Sequence, residues 1–418
     1  MNILIKAAII IDSSSLFHRQ KKDILIVNGE IKEISDSIAS KENYQVIEKE
    51  NLYVSNGWFD TSVSFGDPGF EERETISNGL VTAAKSGFTA VAVNPNTNPV
   101  IDTKAGVEYL LNRANGSSTT LYPIGALTTK SEGKELAELF DLQNAGAIAF
   151  GDYNKPISND NLMKIALQYG QNFDGLIMSF PQNDTIAHNG LANEGENSTK
   201  LGLKGNPALA EHLQIARDLF LLEYTGGKLH IPTVTTEKSI ALIKEAKDKG
   251  LNVTCSVAVH HLFLTDDELE TFDANVKVSP PLRSESEVMA LRAAVRKGYI
   301  DCITTDHNPI DIEHKKVAFN QAKFGTIGLE SAFGALNAIL ELDEFIPCLT
   351  NRPRKTFNIS GITIAEGNQA ELTLFNPKGA SVFSEKEILS TSKNSAFLGK
   401  SLKGSVYGTI NKGQVAIK

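Results

Sequence analysis

The chain has 418 residues, 41% hydrophobic and 22% charged, with a formal net charge of -9 and a pI near 5.5. That length suits one large α/β barrel with a smaller unit, and the acidic balance gives no electrostatic footprint for nucleic acid. No apolar run is long enough for a bilayer, and Asp12 interrupts the short apolar run near the start, so a cytoplasmic protein without signal peptide or membrane partner is expected.

Residues 1–54 read as all-β. Ile3–Ile11 is an apolar run, and DILIV-Asn28-Gly29-EIKEI is a hairpin signal, because Asn-Gly supplies the positive φ angles of a two-residue turn. The other end behaves alike: Glu371–Phe375 alternates, and Ser405–Ile410 faces Gln414–Ile417 across Asn411-Lys412-Gly413. The expectation is a small β-sandwich built from both ends, residues 1–54 with 366–418.

Between them, residues 55–365 change rhythm. Strand-length apolar runs recur at Trp58–Val63, Phe88–Val93, Thr120–Ala126, Ala147–Phe150, Gly175–Met178, Lys228–Val234, Asn252–Val259 and Tyr299–Thr305. Helical patterns join most of them. Ser284 with Glu287 reads as a capping box ahead of Val288, Leu291 and Val295, and Thr236–Lys249 repeats the theme before Gly250. Eight strands alternating with helices argue for an α/β (β/α)8 TIM-type barrel. An open doubly wound sheet is the rival, but no GxGxxG follows an early strand. The polar loop 182–205 is long enough to be a lid or binding segment. Cys255, Cys302 and Cys348 are widely spaced and read as buried thiols.

In such a barrel the chemistry sits where strands end. The polar residues there are Asp60, Ser62 and Ser64; Asn94 to Thr97; Asp152; Ser179; His230 and Thr233; His260-His261; Ser279 to Arg283; and Thr305 to Pro309. Asp60, Ser62 and Ser64 share one face of their strand. Of the His260-His261 pair, one ring either contacts a substrate or the two simply point to opposite faces. His230 reads as a core histidine.

PNTNPVID (95–102), NEGENSTKLGLKGNPALAEHLQIARD (193–218), VHHLFLTDDEL (259–269), KVSPPLR (277–283), TTDHNPID (304–311) and FGTIGLES (324–331) resemble the dihydroorotase family of the amidohydrolase superfamily. The resemblance covers nearly the whole chain in order. It implies a barrel with a β-sandwich from both ends, and the interconversion of carbamoyl aspartate and dihydroorotate in pyrimidine synthesis. It also implies zinc, held by an HxH pair on strand one, a carboxylate or carboxylated lysine on strand four, histidines after strands five and six, and an aspartate after strand eight.

This sequence departs from that pattern at the ligands. Against the family motifs, Ser62 and Ser64 stand at the HxH pair, Ser179 at the strand-five histidine and Thr233 at the strand-six one. Asp152 and Asp306 remain as remnant ligand positions, with Asp306 also the proton-shuttle position. Alcohols are poor zinc ligands beside imidazole, so no cofactor is expected. In the substrate motifs Gly66 replaces an arginine, Ser279 an asparagine and Ile310 a histidine, while Asn96 and His261 are carried as remnant substrate-binding positions.

The resulting expectation is a non-catalytic homologue. In the family such chains bind aspartate carbamoyltransferase and support its assembly, so that enzyme is the expected partner, in a homo- or hetero-oligomer. The alternatives are an active dihydroorotase with an altered metal site, including an oxygen-only site for Mg²⁺ from Asp60, Asp152 and Asp306, and a zinc-free binder or enzyme for another small molecule.

Overall fold

The computed structural model describes residues 2–418. The first strands are β1 (Asn2–Ile11), β2 (Lys21–Val27), β3 (Glu30–Ser35), β4 (Tyr44–Ile47) and β5 (Tyr53–Asn56). The Asn28-Gly29 turn joins β2 to β3 with φ of 52° and 85°, as its sequence requires. At the other end lie β16 (Leu372–Val382), β17 (Ser401–Asn411) and β18 (Gln414–Ile417), the last two joined by a positive-φ Lys412-Gly413 turn.

The two ends form one hydrogen-bonded sheet of eight strands, in the order β18-β17-β16-β5-β1-β2-β3 with β4 also on β1. β1 makes this possible. Its first half pairs with β4 and its second half with β5, across an irregularity at Lys6 and Ala7, where Ala7 has φ 55°. The change of neighbour bends the sheet around its own core of Ile3, Ile5, Ile10, Ile24, Ile26 and Leu374.

The barrel strands are β6 (Trp58–Val63), β7 (Phe88–Val93), β8 (Thr120–Gly125), β9 (Ala149–Phe150), β10 (Leu176–Met178), β13 (Lys228–Ile231), β14 (Val253–Ala258) and β15 (Cys302–Thr304). Between β10 and β13, the short pair β11 (Ala192–Asn193) and β12 (Gly205–Asn206) organises the long polar loop. The eight barrel strands run parallel in sequence order. β6 and β7 are buried along their whole length; β7 accordingly reads as a near-continuous apolar run, while β6 buries Asp60, Thr61 and Ser62 among Trp58, Phe59 and Val63. The three cysteines are free and buried.

The barrel closes between β6 and β15. Val63 and His307 form a parallel bridge, Ser64 N donates to His307 O at 2.7 Å, and the Thr304 hydroxyl donates to Ser62 O at 3.2 Å. Asp60 clasps this seam: it accepts from Ser62 N, from Thr305 N, and from the hydroxyls of Thr304 and Thr305.

One local expectation is corrected. Helix Glu285–Arg296 forms, but Ser284 makes no side-chain cap with Glu287. Glu287 instead accepts from Glu237 N at 2.6 Å, at the start of the neighbouring helix Glu237–Asp248. A carboxylate there satisfies an unpaired N-terminal donor and favours the helix dipole. Among the described residues, no helix is long and apolar enough to cross a membrane.

Candidate functional site

The C-terminal ends of the barrel strands converge on Ser62, Asn94, Asp152, Tyr153, Thr233 and Asp306, which line one cavity with Met178 and Phe180. Its volume is about 20 Å³, room for about one water.

The polar groups are mostly bound to one another. The Ser62 and Tyr153 hydroxyls both donate to Asp306 Oδ1 at 3.1 Å. Asn94 Nδ2 donates to Ser62 Oγ at 3.0 Å, and Ser64 Oγ donates to Asn96 Oδ1 at 3.0 Å. Asp152 accepts from Thr128 N at 3.0 Å and from the Thr128 hydroxyl. Thr233 Oγ1 is the exception: it is buried on the cavity wall without a partner. Burial disfavours ionised carboxyls here and raises Asp152, pushes Asp306 up to about 7 and pushes Asp60 up to about 6. The Tyr153 phenol is raised well above its usual value, by burial first and by Asp306 second.

The backbone is strained at the same place. Tyr153, Thr233 and Asp306 have φ of 54°, 49° and 46°. For β-branched Thr233 this left-handed conformation is costly, and such strain clusters at functional sites.

The structure therefore gathers Ser62, Ser64, Asn96, Asp152, Thr233 and Asp306, but it moves two expected positions elsewhere. Ser179 turns outward, its hydroxyl donating to Asp218 Oδ2 at 2.6 Å on the surrounding helix Ala208–Thr225. Phe180, the next residue, presents its ring to the cavity instead; one step along the chain exchanges the two faces. His261 does not line the cavity either. It is buried against the 277–283 loop, with Nε2 2.9 Å from Pro280 O, and burial holds the imidazole down at about 4. His260 packs beside it, the ring centroids 4.3 Å apart and the planes tilted by 56°. His230 is a core residue between the hydroxyls of Thr254 and Ser256.

Gly66 has φ 88°, and a Cβ there would sit 2.6 Å from Phe70 O. No side chain fits at that point without moving the backbone, so an arginine is excluded by geometry as well as by sequence. Ile310 is buried, with its N–H donating to Asn394 Oδ1 at 3.1 Å. Tyr153 is the residue that sequence reasoning missed as a member of the group, while Asn94 was among the polar residues at strand ends. The signal of Tyr153 was present, since it is polar and follows a strand end.

The donor chemistry does not fit zinc. Hydroxyls, a phenol and an amide surround the carboxylates, and no imidazole lines the cavity. Among the described residues, no group of three or more His, Cys, Asp or Glu side chains is placed to hold a metal ion. The geometry can hold a proton on Asp306 near neutral pH and a water among polar groups.

Comparison with known proteins gives three findings. Residues 52–239 match the family model described as dihydro-orotase-like. Over 100% of this chain and 99% of the relative, the sequence is 40% identical to a dihydroorotase of Ruminiclostridium cellulolyticum; over 100% of both chains, it is 36% identical to one of Geotalea daltonii. Among solved structures, an L-hydantoinase (dihydropyrimidinase) from Arthrobacter aurescens superposes with a TM-score of 0.84 at 20% identity, covering 99% of this chain and 95% of that one. A D-hydantoinase (dihydropyrimidinase) from Thermus sp. superposes with a TM-score of 0.83 at 21% identity, covering 100% and 95%. At such identities the two structural likenesses speak to fold alone.

Proposed function

The chain belongs to the dihydroorotase family of pyrimidine metabolism, and from that premise we propose that it acts without the family's zinc chemistry, as a structural partner of aspartate carbamoyltransferase. One observation carries the reading. At the barrel mouth, Ser62, Ser64, Asn94, Asn96, Tyr153 and Asp306 satisfy one another around space for about one water. A catalytic site keeps an open position and unspent donors for substrate. Here the Ser62, Ser64 and Tyr153 hydroxyls are engaged and only that of Thr233 is not, Phe180 plugs the wall and Gly66 leaves no room for a cationic side chain.

The barrel does not depend on a metal to close, because Asp60 and the Thr304-Thr305 hydroxyls hold the seam. A fold with that property can persist as a scaffold after its chemistry has gone. Co-purification tests the partnership: tagged chain from its own cell should retain aspartate carbamoyltransferase, and its removal should alter that enzyme's assembly. Absence of both effects rejects the partnership.

Rebuilding the donors tests the chemical half. The variant Ser62→His, Ser64→His, Phe180→His, Thr233→His with Tyr153→Gly restores imidazoles and clears the phenol. Histidine tolerates the left-handed backbone at position 233 better than threonine. Elemental analysis should find stoichiometric zinc in this variant only. If the parent chain carries as much, the donor argument is wrong.

A further inference from the structure

The short helix Ile312–Lys315 follows the last barrel strand and walls a groove of about 1130 Å³. The groove shares no lining residue with the small cavity at the barrel mouth. Two buried lysines, Lys277 and Lys315, hold the loop behind this wall, and their surroundings differ. Lys277 Nζ donates to the carbonyl oxygens of Phe319, Asn320 and Ala322 at 2.7, 3.3 and 2.6 Å. It also lies 4.7 Å over the Phe324 ring and 5.3 Å over that of Phe319. Three acceptors match the three N–H bonds of an ammonium, and the rings add cation–π attraction.

Lys315 Nζ has two acceptors, Ala274 O at 2.7 Å and Lys323 O at 3.0 Å. Two acceptors match the two N–H bonds of a neutral amine and leave its lone pair unspent. Burial first and the Lys277 charge second bring the Lys315 ammonium down to about 7, against the pull of Asp273. Of the two lysines, it is Lys315 that lines the groove.

A proton carrier stands beside it. Asp311 caps the helix by accepting from His314 N at 3.1 Å, and the same oxygen lies 2.7 Å from His314 Nδ1. An ionised carboxylate only accepts, so Nδ1 carries the proton and Nε2 is the basic nitrogen. Arg73 Nε braces Asp311 from its other oxygen at 3.4 Å. The His314 side chain is 44% exposed and lines the same groove. Exposed Phe272, Ile312 and Val317 give the groove apolar walls. Its carboxylates, Glu72, Asp273, Asp311, Glu313 and Glu385, outnumber the remaining ammonium groups of Lys316 and Lys393. Such walls suit an uncharged, partly apolar ligand and repel an anion.

We propose that Lys315 is the reactive amine of a second site, with His314 as its proton carrier, and that the site takes a small uncharged aldehyde as an imine. The proposal is independent of the reading of the barrel mouth. The Nζ lone pair attacks the carbonyl carbon and forms the C–N bond, while the C=O π pair moves to oxygen. Through water, His314 Nε2 takes a proton from the nitrogen and delivers it to that oxygen, giving the carbinolamine. The nitrogen pair then forms the C=N bond and expels the hydroxyl. The second nitrogen proton, again carried by His314, joins the hydroxyl and leaves with it as water. One amine and one aldehyde give one imine and one water. In its protonated form the imine keeps one N–H for Ala274 O.

Labelling of the full chain tests this. The protein is treated with butanal between roughly pH 6 and pH 10, quenched early with borohydride and peptide-mapped by mass spectrometry. Exposed Lys316 on the same groove is the internal reference. At neutral pH Lys315 should be labelled about tenfold faster than Lys316, because far more of it is neutral. Its rate should level off above about pH 8, while that of Lys316 climbs toward about pH 10. His314→Gln should slow Lys315 about tenfold and leave Lys316 unchanged. Anionic glyoxylate should favour Lys315 over Lys316 less than butanal does. Lys315 labelled no faster than Lys316, or with the same pH profile, overturns the proposal. An unchanged ratio in His314→Gln overturns the proton carrier, and a Lys315 preference for glyoxylate overturns the uncharged class.

Discussion

Asp60 and Asp306 stand on the two sides of the seam that closes the barrel, one on β6 and the other just past β15. Both are buried, and burial raises both carboxyls, to about 6 and about 7. Their surroundings differ. Asp60 is clasped through both oxygens by backbone and hydroxyl donors of the seam itself. Asp306 takes two hydroxyls on a single oxygen, on a backbone with φ 46°, beside a cavity. Asp60 is a fastener, and Asp306 belongs to a site. The contrast separates what holds the barrel closed from what would act at its mouth, and explains how one survives without the other.

The largest effect of a substitution expected from this contrast is on stability. Asp60→Ala strands the Thr304 and Thr305 donors and opens the seam, with an expected loss of about 3–5 kcal/mol. Denaturant unfolding measures it. A loss no larger than that of Asp306→Ala would break the distinction between the two carboxylates.

A pH effect comes next. Asp306 binds its proton up to about pH 7 in the folded chain, against an ordinary value of 3.8. Between those values the folded state holds more protons than the unfolded one, so stability falls as pH rises, and Asp60 adds to the trend up to about 6. From pH 4 to pH 8 the expected decline is about 6 kcal/mol, the larger part from Asp306. Asp306→Asn keeps an acceptor for Ser62 and Tyr153, removes the charge and should flatten the upper part of the curve. A parent whose melting temperature rises across this range would contradict the assignment.

The smallest effect sharpens the picture of stored strain. Thr233→Gly removes a β-branched residue from φ 49° and deletes an unpartnered buried hydroxyl. The expected gain is about 1 kcal/mol, and a loss would mean the hydroxyl has a partner that matters.

Much of this contrast was legible in the sequence. The runs Trp58–Val63 and Phe88–Val93 matched β6 and β7 residue for residue, β7 because a strand buried on both faces is apolar nearly throughout, β6 through Trp58, Phe59 and Val63 around its buried polar residues. The Asn28-Gly29 turn was equally plain, since its chemistry is local. What failed was long-range. Glu287 satisfies a cap rule for its own helix, yet it serves the next one, and no local window contains Glu237 N. Ser179 was assigned one residue away from Phe180, and only the three-dimensional direction of the side chains, toward Asp218 or toward the cavity, decides between them. His261 stands in a motif that resembles a binding segment, but its imidazole is held by Pro280 O beneath a loop. Gly66 read as a lost arginine, while the approach of Phe70 O adds that the space is gone too.

The most direct test of the central claim is zinc content measured together with carbamoyl aspartate cyclisation on the purified parent chain. The expected result is no stoichiometric zinc and no turnover, with or without added metal. One zinc per chain accompanied by turnover would contradict the account.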